Sequence, residues 1–177
     1  MTREVWSAEL GRHFINHWEE NNMKLLHALG VSIAVLVGVW VYVSIGLPGL
    51  KFYPWIGFVA WAAFYAAGGG KAGILKPLSA STIAILLTAL TMYGVGQFGG
   101  GLVPTIVLVA ILAFVLVAMA DIRALSYTPA AFLGAATYFG SGGKVDESIL
   151  FVILSWLAGL ALGYASEALG KKMAKPA

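Results

Sequence analysis

Two segments of the chain align without a gap: Phe58-Val-Ala-Trp-Ala-Ala-Phe-Tyr-Ala-Ala-Gly-Gly69 and Phe132-Leu-Gly-Ala-Ala-Thr-Tyr-Phe-Gly-Ser-Gly-Gly143. Four of the twelve aligned positions are identical, and six more keep an aromatic, aliphatic or small side chain. Both segments are apolar and end in glycine, so each predicts a helix that stops at its glycines. Their separation of 74 residues predicts an internal repeat.

The segments belong to a chain that is unusually apolar along its whole length. Of its 177 residues, 60% are hydrophobic and 11% are charged, and the mean hydropathy is +0.87. A soluble domain carries about 25% charged residues. The intervals without Lys, Arg, Asp or Glu are 25–50, 52–70, 77–120, 124–143 and 148–166.

These intervals predict six membrane-spanning helices, because a span needs about 20 apolar residues. The third interval is long enough for two spans, with the glycine-rich segment 94–101 as the turn between them. The predicted spans are 25–47, 53–69, 77–97, 102–121, 127–142 and 148–168.

The offset of the two segments also relates the first span to the fourth and, more loosely, the third to the sixth. We therefore predict two copies of a three-helix unit, in residues 25–97 and 98–177. Three is odd, so the second copy enters the membrane from the opposite side. The predicted fold is an all-α polytopic membrane protein with an inverted repeat, an architecture found in transporters. Chance similarity between apolar sequences is the alternative.

The basic residues predict the orientation of the chain. Lys51 and Lys144 lie on one predicted side, and nine Lys or Arg residues lie on the other. Short loops on the cytoplasmic side carry the excess of basic residues. Both termini are therefore expected in the cytoplasm, and the chain in a bacterial inner (plasma) membrane. The membrane topology explains the distribution of the basic residues, so no nucleic acid is expected as a partner.

Residues 1–24 differ from the rest and predict an amphipathic helix at the membrane surface. Trp6, Leu10, Phe14 and Trp18 recur every four residues with polar residues between them. His13, His17 and Glu20 share one face of this helix and have the spacing of a metal site. Histidines at headgroup level are more common, so no metal site and no cofactor are predicted. The chain has no cysteine, which excludes disulfides and thiolate ligands.

The predicted spans contain no Asp, Glu, Lys or Arg near the membrane centre. Ion-coupled carriers commonly place such groups at depth, and hydrolytic enzymes need a base. We therefore expect neither a proton-driven antiporter nor an enzyme, and no catalytic residue is predicted. The remaining class of function is passive movement of a small molecule across the membrane.

The two glycine-ended segments supply the candidate pore-lining residues. Aromatic rings around a few hydroxyl groups suit a small neutral solute and disfavour hydrated ions. The alternative is that these rings pack helices together or lie at the headgroup level, and Trp61 fits that alternative best. The predicted lining residues are Phe58, Phe64, Tyr65, Phe132, Thr137, Tyr138 and Phe139.

The glycines allow two interpretations as well. They either end broken helices, which bares backbone carbonyls to a solute, or allow helices to approach closely. Gly159 and Gly163 have the spacing of a packing motif. The glycines for which a functional helix break is predicted are Gly68, Gly69, Gly70, Gly140, Gly142 and Gly143.

Two blocks of the sequence resemble a small bacterial inner-membrane family that is known only as a domain of unknown function. They are Trp55-Ile-Gly-Phe with Phe64-Tyr-Ala-Ala-Gly-Gly-Gly70-Lys-Ala-Gly-Ile, and Thr128-Pro-Ala-Ala-Phe-Leu-Gly-Ala-Ala-Thr-Tyr-Phe-Gly140. The resemblance covers roughly residues 28–168. It implies a compact polytopic inner-membrane protein, and it implies no activity.

These features together predict a passive channel or facilitator for a small uncharged polar solute, such as urea, a short amide, ammonia or a similar metabolite. Two alternatives remain at this point. One is a secondary transporter coupled to an ion or proton, and the other is a membrane scaffold or partner subunit that transports nothing. The expected partners are the lipid bilayer, the solute and further copies of the chain in a homo-oligomer.

Overall fold

The computed structural model describes residues 24–174. The predicted amphipathic helix, with His13, His17 and Glu20, therefore lies outside the described residues. The chain divides into two compact units, whose described parts are residues 24–38 with 165–174, and residues 39–164.

Residues 24–174 are helical and contain no β-strand. The first helix turns into a π-helix at Tyr42–Gly46, and α4 continues into a 3-10 turn at Met119–Asp121. The helices are α1 at Lys24–Gly46, α2 at Pro54–Ala66, α3 at Gly70–Gln97, α4 at Leu102–Ala118, α5 at Thr128–Gly140 and α6 at Ser148–Met173.

Four of these helices, α1, α3, α4 and α6, are long and apolar enough to cross a membrane. The other two, α2 and α5, have 13 residues each. A helix of that length measures about 20 Å, against about 30 Å for the hydrocarbon core. The structure therefore provides four helices of full membrane length where the sequence predicted six spans.

The turn between α3 and α4 lies where the sequence predicted it. Gly99, Gly100 and Gly101 all have positive φ angles, which glycine adopts without strain. They follow the end of α3 at Gln97 and precede the start of α4 at Leu102.

The start of α3 differs from the prediction, since the helix begins at Gly70 and carries Pro77 inside it. A proline removes one helical hydrogen bond and crowds the carbonyl four residues earlier. Here that residue is Gly73, and both Gly73 and Pro77 are buried. Packing thus keeps this turn helical, and it outweighs the local preference that the prediction used.

In the unit of residues 24–38 with 165–174, α1 lies against the end of α6. The Ser32 hydroxyl donates a hydrogen bond to the Ser166 carbonyl over 2.8 Å, and Ser32 is buried. A Cβ atom on Gly170 would come within 2.6 Å of a Leu29 methyl group. The absence of a side chain at Gly170 therefore allows this close packing.

The unit of residues 39–164 has two buried apolar clusters. The central cluster joins α2, α3, α5 and α6, and α4 takes part in the second cluster, with α3 and α5. The buried residues of the central cluster are Ile56, Ala60, Ala63, Phe64, Ile85, Ala89, Tyr138, Val152, Trp156 and Leu160.

Two close helix contacts within this unit depend on glycine. A Cβ atom on Gly159 of α6 would lie 2.2 Å from the Gly57 carbonyl oxygen of α2. A Cβ atom on Gly134 of α5 would lie 2.6 Å from the Ser81 carbonyl oxygen of α3. In both contacts the neighbouring atom belongs to the backbone, so a side chain would force the helices apart.

Candidate functional site

The two short helices have the same length and lie 74 residues apart at both ends. Pro54 and Ala66 bound α2, and Thr128 and Gly140 bound α5. Each helix has a proline in its first turn, where the missing backbone N–H has no helical partner to lose. The sequence similarity between the two segments is therefore accompanied by equal helix boundaries.

The C-terminal ends of α2 and α5 are closed by equivalent backbone hydrogen bonds. In each case the last bonds run over four, three and five residues, as in a glycine-ended helix cap. The N–H to carbonyl pairs at α2 are Ala67 to Ala63 (3.0 Å), Gly68 to Tyr65 (3.0 Å) and Gly69 to Phe64 (3.1 Å). Those at α5 are Ser141 to Thr137 (3.1 Å), Gly142 to Phe139 (3.0 Å) and Gly143 to Tyr138 (3.2 Å).

Glycine is required at these caps by the backbone conformation. Gly68 has a φ of 100° and Gly142 one of 104°, while Gly69 and Gly143 have 68° and 60°. The ψ of Gly69 is −170°, a combination that only glycine adopts readily. Gly70 also has a positive φ, of 54°.

Gly140 has a different role from the cap glycines. It is the last residue of α5, and its φ is not positive. A Cβ atom on Gly140 would lie 2.6 Å from the ring of Trp55. Gly140 therefore gives Trp55 room to pack at the end of α5.

The structure places the predicted lining residues in three different environments. Phe64, Thr137 and Tyr138 are fully buried, and Phe64 and Tyr138 belong to the central cluster. Tyr65 packs against that cluster, with its ring edge-on to the Phe64 ring at 5.2 Å. Their role as lining residues remains a prediction.

Phe58, Phe132 and Phe139 lie at the surface and are 40%, 43% and 36% exposed. Phe132 and Phe139 line an apolar groove of about 180 Å³ between α4 and α5. The structure therefore does not bring all seven predicted lining residues to one place.

A polar cavity of about 410 Å³ lies at the C-terminal end of α5. The Tyr138 hydroxyl, which the helix places beside this end, donates a hydrogen bond to the Lys144 carbonyl over 2.7 Å. The cavity is lined by Lys51, Phe52, Tyr53, Ser141, Lys144, Asp146, Glu147, Ser148 and Phe151.

The charges of this cavity come from two loops. Lys51, between α1 and α2, pairs with Glu147, between α5 and α6, at 2.6 Å. The Lys51 ammonium also lies 5.2 Å from the centre of the Phe151 ring. Because both partners of the ion pair are exposed, its contribution to stability is small. The ion pair nevertheless shows that the two loops lie side by side.

Asp146 forms the cap of α6 at the same cavity. Its carboxylate accepts a hydrogen bond from the Ser148 backbone N–H over 2.8 Å. The pKa of Asp146 lies below its usual value, first because of the Ser148 side-chain hydrogen bond, then because of this backbone bond and the nearby Lys144 ammonium. The carboxylate therefore stays ionised at neutral pH.

Sequence reasoning missed this polar cavity. A pattern that could have found it is the pair of oppositely charged loop residues, Lys51 and Glu147, which follow the first span and precede the last one. The predicted topology places the two loops on the same side of the membrane, but the sequence does not indicate that these two side chains meet. As for metal ions, residues 24–174 hold no group of three potential metal ligands.

The packing glycines of α6 lie against α2. Gly159 faces the Gly57 backbone, and a Cβ atom on Gly163 would lie 2.7 Å from the Phe64 ring. The ring of Phe64, a residue of α2, therefore packs against α6 at a position where α6 has no side chain.

Comparison with known proteins identifies relatives over most of the chain. The family described as "Protein of unknown function (DUF1097)" matches residues 30–171. "Uncharacterized protein YahC" of Escherichia coli (strain K12) is 33% identical over 165 residues, which cover 86% of this chain and 95% of the relative. "Inner membrane protein YcdZ" of the same strain is 32% identical over 151 residues, covering 82% and 85%.

The protein of the same name from Salmonella typhimurium is 32% identical over 152 residues, covering 82% of this chain and 87% of the relative. No solved structure is significantly similar to the chain. The resemblance predicted from the two sequence blocks is thereby confirmed. With its long apolar helices, the chain is a helical membrane protein that belongs to the DUF1097 family of proteins of unknown function.

Proposed function

We propose that the chain is a passive channel or facilitator for a small uncharged polar solute, such as urea, a short amide, ammonia or a similar metabolite, and that it has no enzymatic activity. The observation that carries the proposal is the matched pair of short helices, α2 and α5, with their equal boundaries and equivalent glycine caps. Interrupted helices at membrane depth occur where they are buried in protein or line a path.

The proposed architecture has two three-helix repeats in opposite orientations, with α2 and α5 as the short middle members. Equal helix boundaries at a constant offset support it. The packing supports it too, because the two close glycine contacts join α2 to α6 and α5 to α3, which pairs each short helix with the last helix of the other repeat.

We place the chain in the bacterial inner membrane with both termini in the cytoplasm. The excess of basic residues on the side of the termini supports this orientation. The contact between Lys51 and Glu147 supports the underlying topology, because the two loops assigned to one side lie together. On the other side, the Ser79 hydroxyl donates a hydrogen bond to the Ala124 carbonyl, so α3 near its start lies beside the loop before α5. The names of the YcdZ relatives support the inner membrane.

The charges and the core favour passive passage of a neutral molecule. Among residues 24–174 the polar groups of the buried side chains are the hydroxyls of Ser, Thr and Tyr138 and indole N–H groups, and every Asp, Glu, Lys and Arg is at least partly exposed. A charged solute would lose its hydration without gaining a counter-charge. The packed aromatic core favours a facilitator that opens transiently over a permanently open pore.

We also expect a homo-oligomer. On α4, Ile106, Val107, Ile111, Phe114 and Val117 are all more than half exposed, and this face is available to lipid or to another copy of the chain. Cross-linking or native mass spectrometry of the purified protein tests this point.

Stopped-flow measurement on proteoliposomes tests the function. Urea, acetamide and ammonia should cross faster than in protein-free vesicles, and should equilibrate without accumulating. The variant Ser141→Trp fills the polar cavity and should reduce the flux, whereas Ser126→Trp, in the exposed loop before α5, should not. If every solute crosses at the rate of empty vesicles, the proposal is wrong.

Two other outcomes point to the alternatives. Accumulation of the solute against its gradient, driven by an ion or proton gradient, identifies a coupled carrier. A stoichiometric partner that copurifies, together with no flux by the chain alone, identifies a scaffold or partner subunit.

A further inference from the structure

The buried Ser and Thr hydroxyl groups in the unit of residues 39–164 donate hydrogen bonds within their own helices, and the Tyr138 hydroxyl donates to the Lys144 carbonyl. Thr88 donates to the Ala84 carbonyl over 2.6 Å, and Thr137 donates to the Gly134 carbonyl over 2.7 Å. Ser81 and Ser155 bond in the same way to carbonyls four residues earlier. Each hydroxyl hydrogen is therefore used, and what these groups still offer is oxygen lone pairs, which accept hydrogen bonds.

Among the described residues, Trp156 is the buried side chain whose polar group has no hydrogen-bond partner. Its side chain is 1% exposed, and its indole Nε1–H is a buried donor without a hydrogen-bond partner. An indole nitrogen donates only, so no rearrangement of its own proton can satisfy it. An unpaired buried donor destabilises the folded protein, a penalty that a phenylalanine at the same place would avoid.

The position of Trp156 connects this donor to the paired short helices. Trp156 lies on α6 in the central cluster, together with Phe64 of α2 and Tyr138 of α5. These two residues carry the carbonyls that accept the last hydrogen bonds of the two glycine caps. The unpaired donor thus lies in the cluster that the two interrupted helices build.

We propose that the Trp156 indole N–H binds the carbonyl oxygen of the permeating solute, an inference that rests on the proposed function. A urea or primary amide molecule has one strong acceptor, its carbonyl oxygen, and N–H groups that donate. Trp156 supplies the donor that this carbonyl oxygen needs. The substrate class is therefore a small carbonyl diamide or primary amide, rather than ammonia.

Comparison of urea with thiourea tests this proposal, because the two have similar shapes while sulfur accepts hydrogen bonds poorly. The first measurement is the indole NMR spectrum of ¹⁵N-tryptophan-labelled protein in nanodiscs, with the Trp156 signal assigned by its loss in Trp156→Phe. We expect urea to shift this signal downfield and thiourea to leave it nearly unmoved. A signal that shifts with neither solute, or equally with both, overturns the proposal.

The second measurement is flux into proteoliposomes. Trp156→Phe should lower the urea-to-thiourea flux ratio about five- to tenfold, the effect of one hydrogen bond of roughly 1 kcal/mol. The control Trp55→Phe, at a surface tryptophan, should keep the ratio. An unchanged ratio in Trp156→Phe overturns the proposal.

The two measurements also separate this inference from the proposed function. If the solute crosses the membrane but the Trp156 signal does not move, the proposed channel function holds and the indole is not part of the binding site. A urea-specific shift without flux shows that the donor binds a carbonyl while the transport proposal fails. If Trp156→Phe does not fold, the Trp156 signal is assigned by elimination from the Trp→Phe variants of the other five tryptophans. The spectrum of the unsubstituted protein, titrated with both solutes, then decides the question alone.

Discussion

Helices α2 and α5 have the same length and the same backbone ending, but their surroundings differ. At α2, the Trp40 ring covers Gly57, and its indole N–H donates to the Pro54 carbonyl over 2.8 Å. The residue that the 74-residue offset pairs with Trp40 is Phe114, which is 74% exposed. An apolar groove lies between α4 and α5 in this copy.

The C-terminal ends of the two helices differ in polarity. The buried aromatic residue at the end of α2 is Phe64, and its counterpart in α5 is Tyr138, whose hydroxyl is tied to Lys144 beside the polar cavity. One backbone arrangement is thus used twice, once in an apolar setting and once beside charged groups. The difference teaches that the glycine caps serve the fold in both copies, while the polar chemistry is concentrated in the second.

The largest effect is expected where a glycine lets two backbones touch. Gly159→Ala and Gly134→Ala should each lower the free energy of unfolding by about 3 kcal/mol, because overpacking against a backbone cannot be relieved by a side-chain rotation. Gly159→Ala should be the worse, since its Cβ would lie 2.2 Å from a neighbour rather than 2.6 Å. Tryptophan fluorescence during thermal unfolding in detergent measures both.

Gly96→Ala is the matched control for these two variants, because Gly96 lies within α3 with no atom near its Cβ position. It should unfold at or slightly above the unsubstituted Tm. If Gly134→Ala is as stable as Gly96→Ala, the two close contacts are not equivalent and the comparison of the helices fails.

The second effect concerns the glycine caps. Gly69→Ala and Gly143→Ala should each cost about 1–3 kcal/mol, since both positions have a positive φ that alanine adopts only with strain. Gly69→Ala should cost more, because its ψ of −170° lies in the region reserved for glycine. Gly38→Ala in α1, where φ is not positive, is the control, and equal Tm values for all three would contradict the cap geometry.

A third experiment exchanges the aromatic residues between the copies. Phe64→Tyr should cost about 1–3 kcal/mol, because the new hydroxyl is buried among apolar side chains. Tyr138→Phe should cost only about 1 kcal/mol, the net value of the lost hydrogen bond to Lys144. Thermal unfolding of both variants gives the order. The reverse order would mean that α2 also has a partner for a hydroxyl group.

These comparisons show which parts of the structure the sequence could predict. Long apolar intervals and glycine runs predicted the positions of the six helices in residues 24–174, because desolvation and backbone conformation act locally. Four of these helices are long enough to cross a membrane, so the six predicted spans stay a prediction. The start of α3 was missed, since burial of Pro77 depends on packing against distant residues. For the same reason the sequence predicted one role, pore lining, for both Phe64 and Phe58, although Phe64 is buried and Phe58 is 40% exposed.

The candidate site was predictable only in part. The paired segments pointed to α2 and α5, but the meeting of Lys51 with Glu147 and the unpaired N–H of Trp156 depend on tertiary contacts between loops and helices. Trp156 lies in a uniformly apolar span, where the sequence does not distinguish a packing residue from a donor.

The smallest effect is expected at the loop that distinguishes the two copies electrostatically. The segment between α2 and α3 has no carboxylate, whereas Asp146 precedes α6 and accepts a hydrogen bond from the Ser148 backbone N–H. A lowered pKa in the folded protein means that this cap stabilises at pH values above the ordinary aspartate pKa of about 3.9 and is lost as the pH falls through the folded value. Stability of the α5–α6 loop should therefore decrease only in acid.

Ser148→Ala tests this directly, since it removes the hydroxyl that contributes most to the lowered pKa and keeps the backbone N–H. The Asp146 carboxyl titration, followed by ¹³C NMR in labelled protein, should move up toward the ordinary value without reaching it. Ser126→Ala, which removes a hydroxyl bonded to the Arg123 carbonyl in the loop before α5, should leave the midpoint unchanged. An unchanged midpoint in Ser148→Ala would assign the lowered pKa to the backbone N–H and Lys144 instead, and the polar character of the second copy would then rest on its loop conformation rather than on its serine.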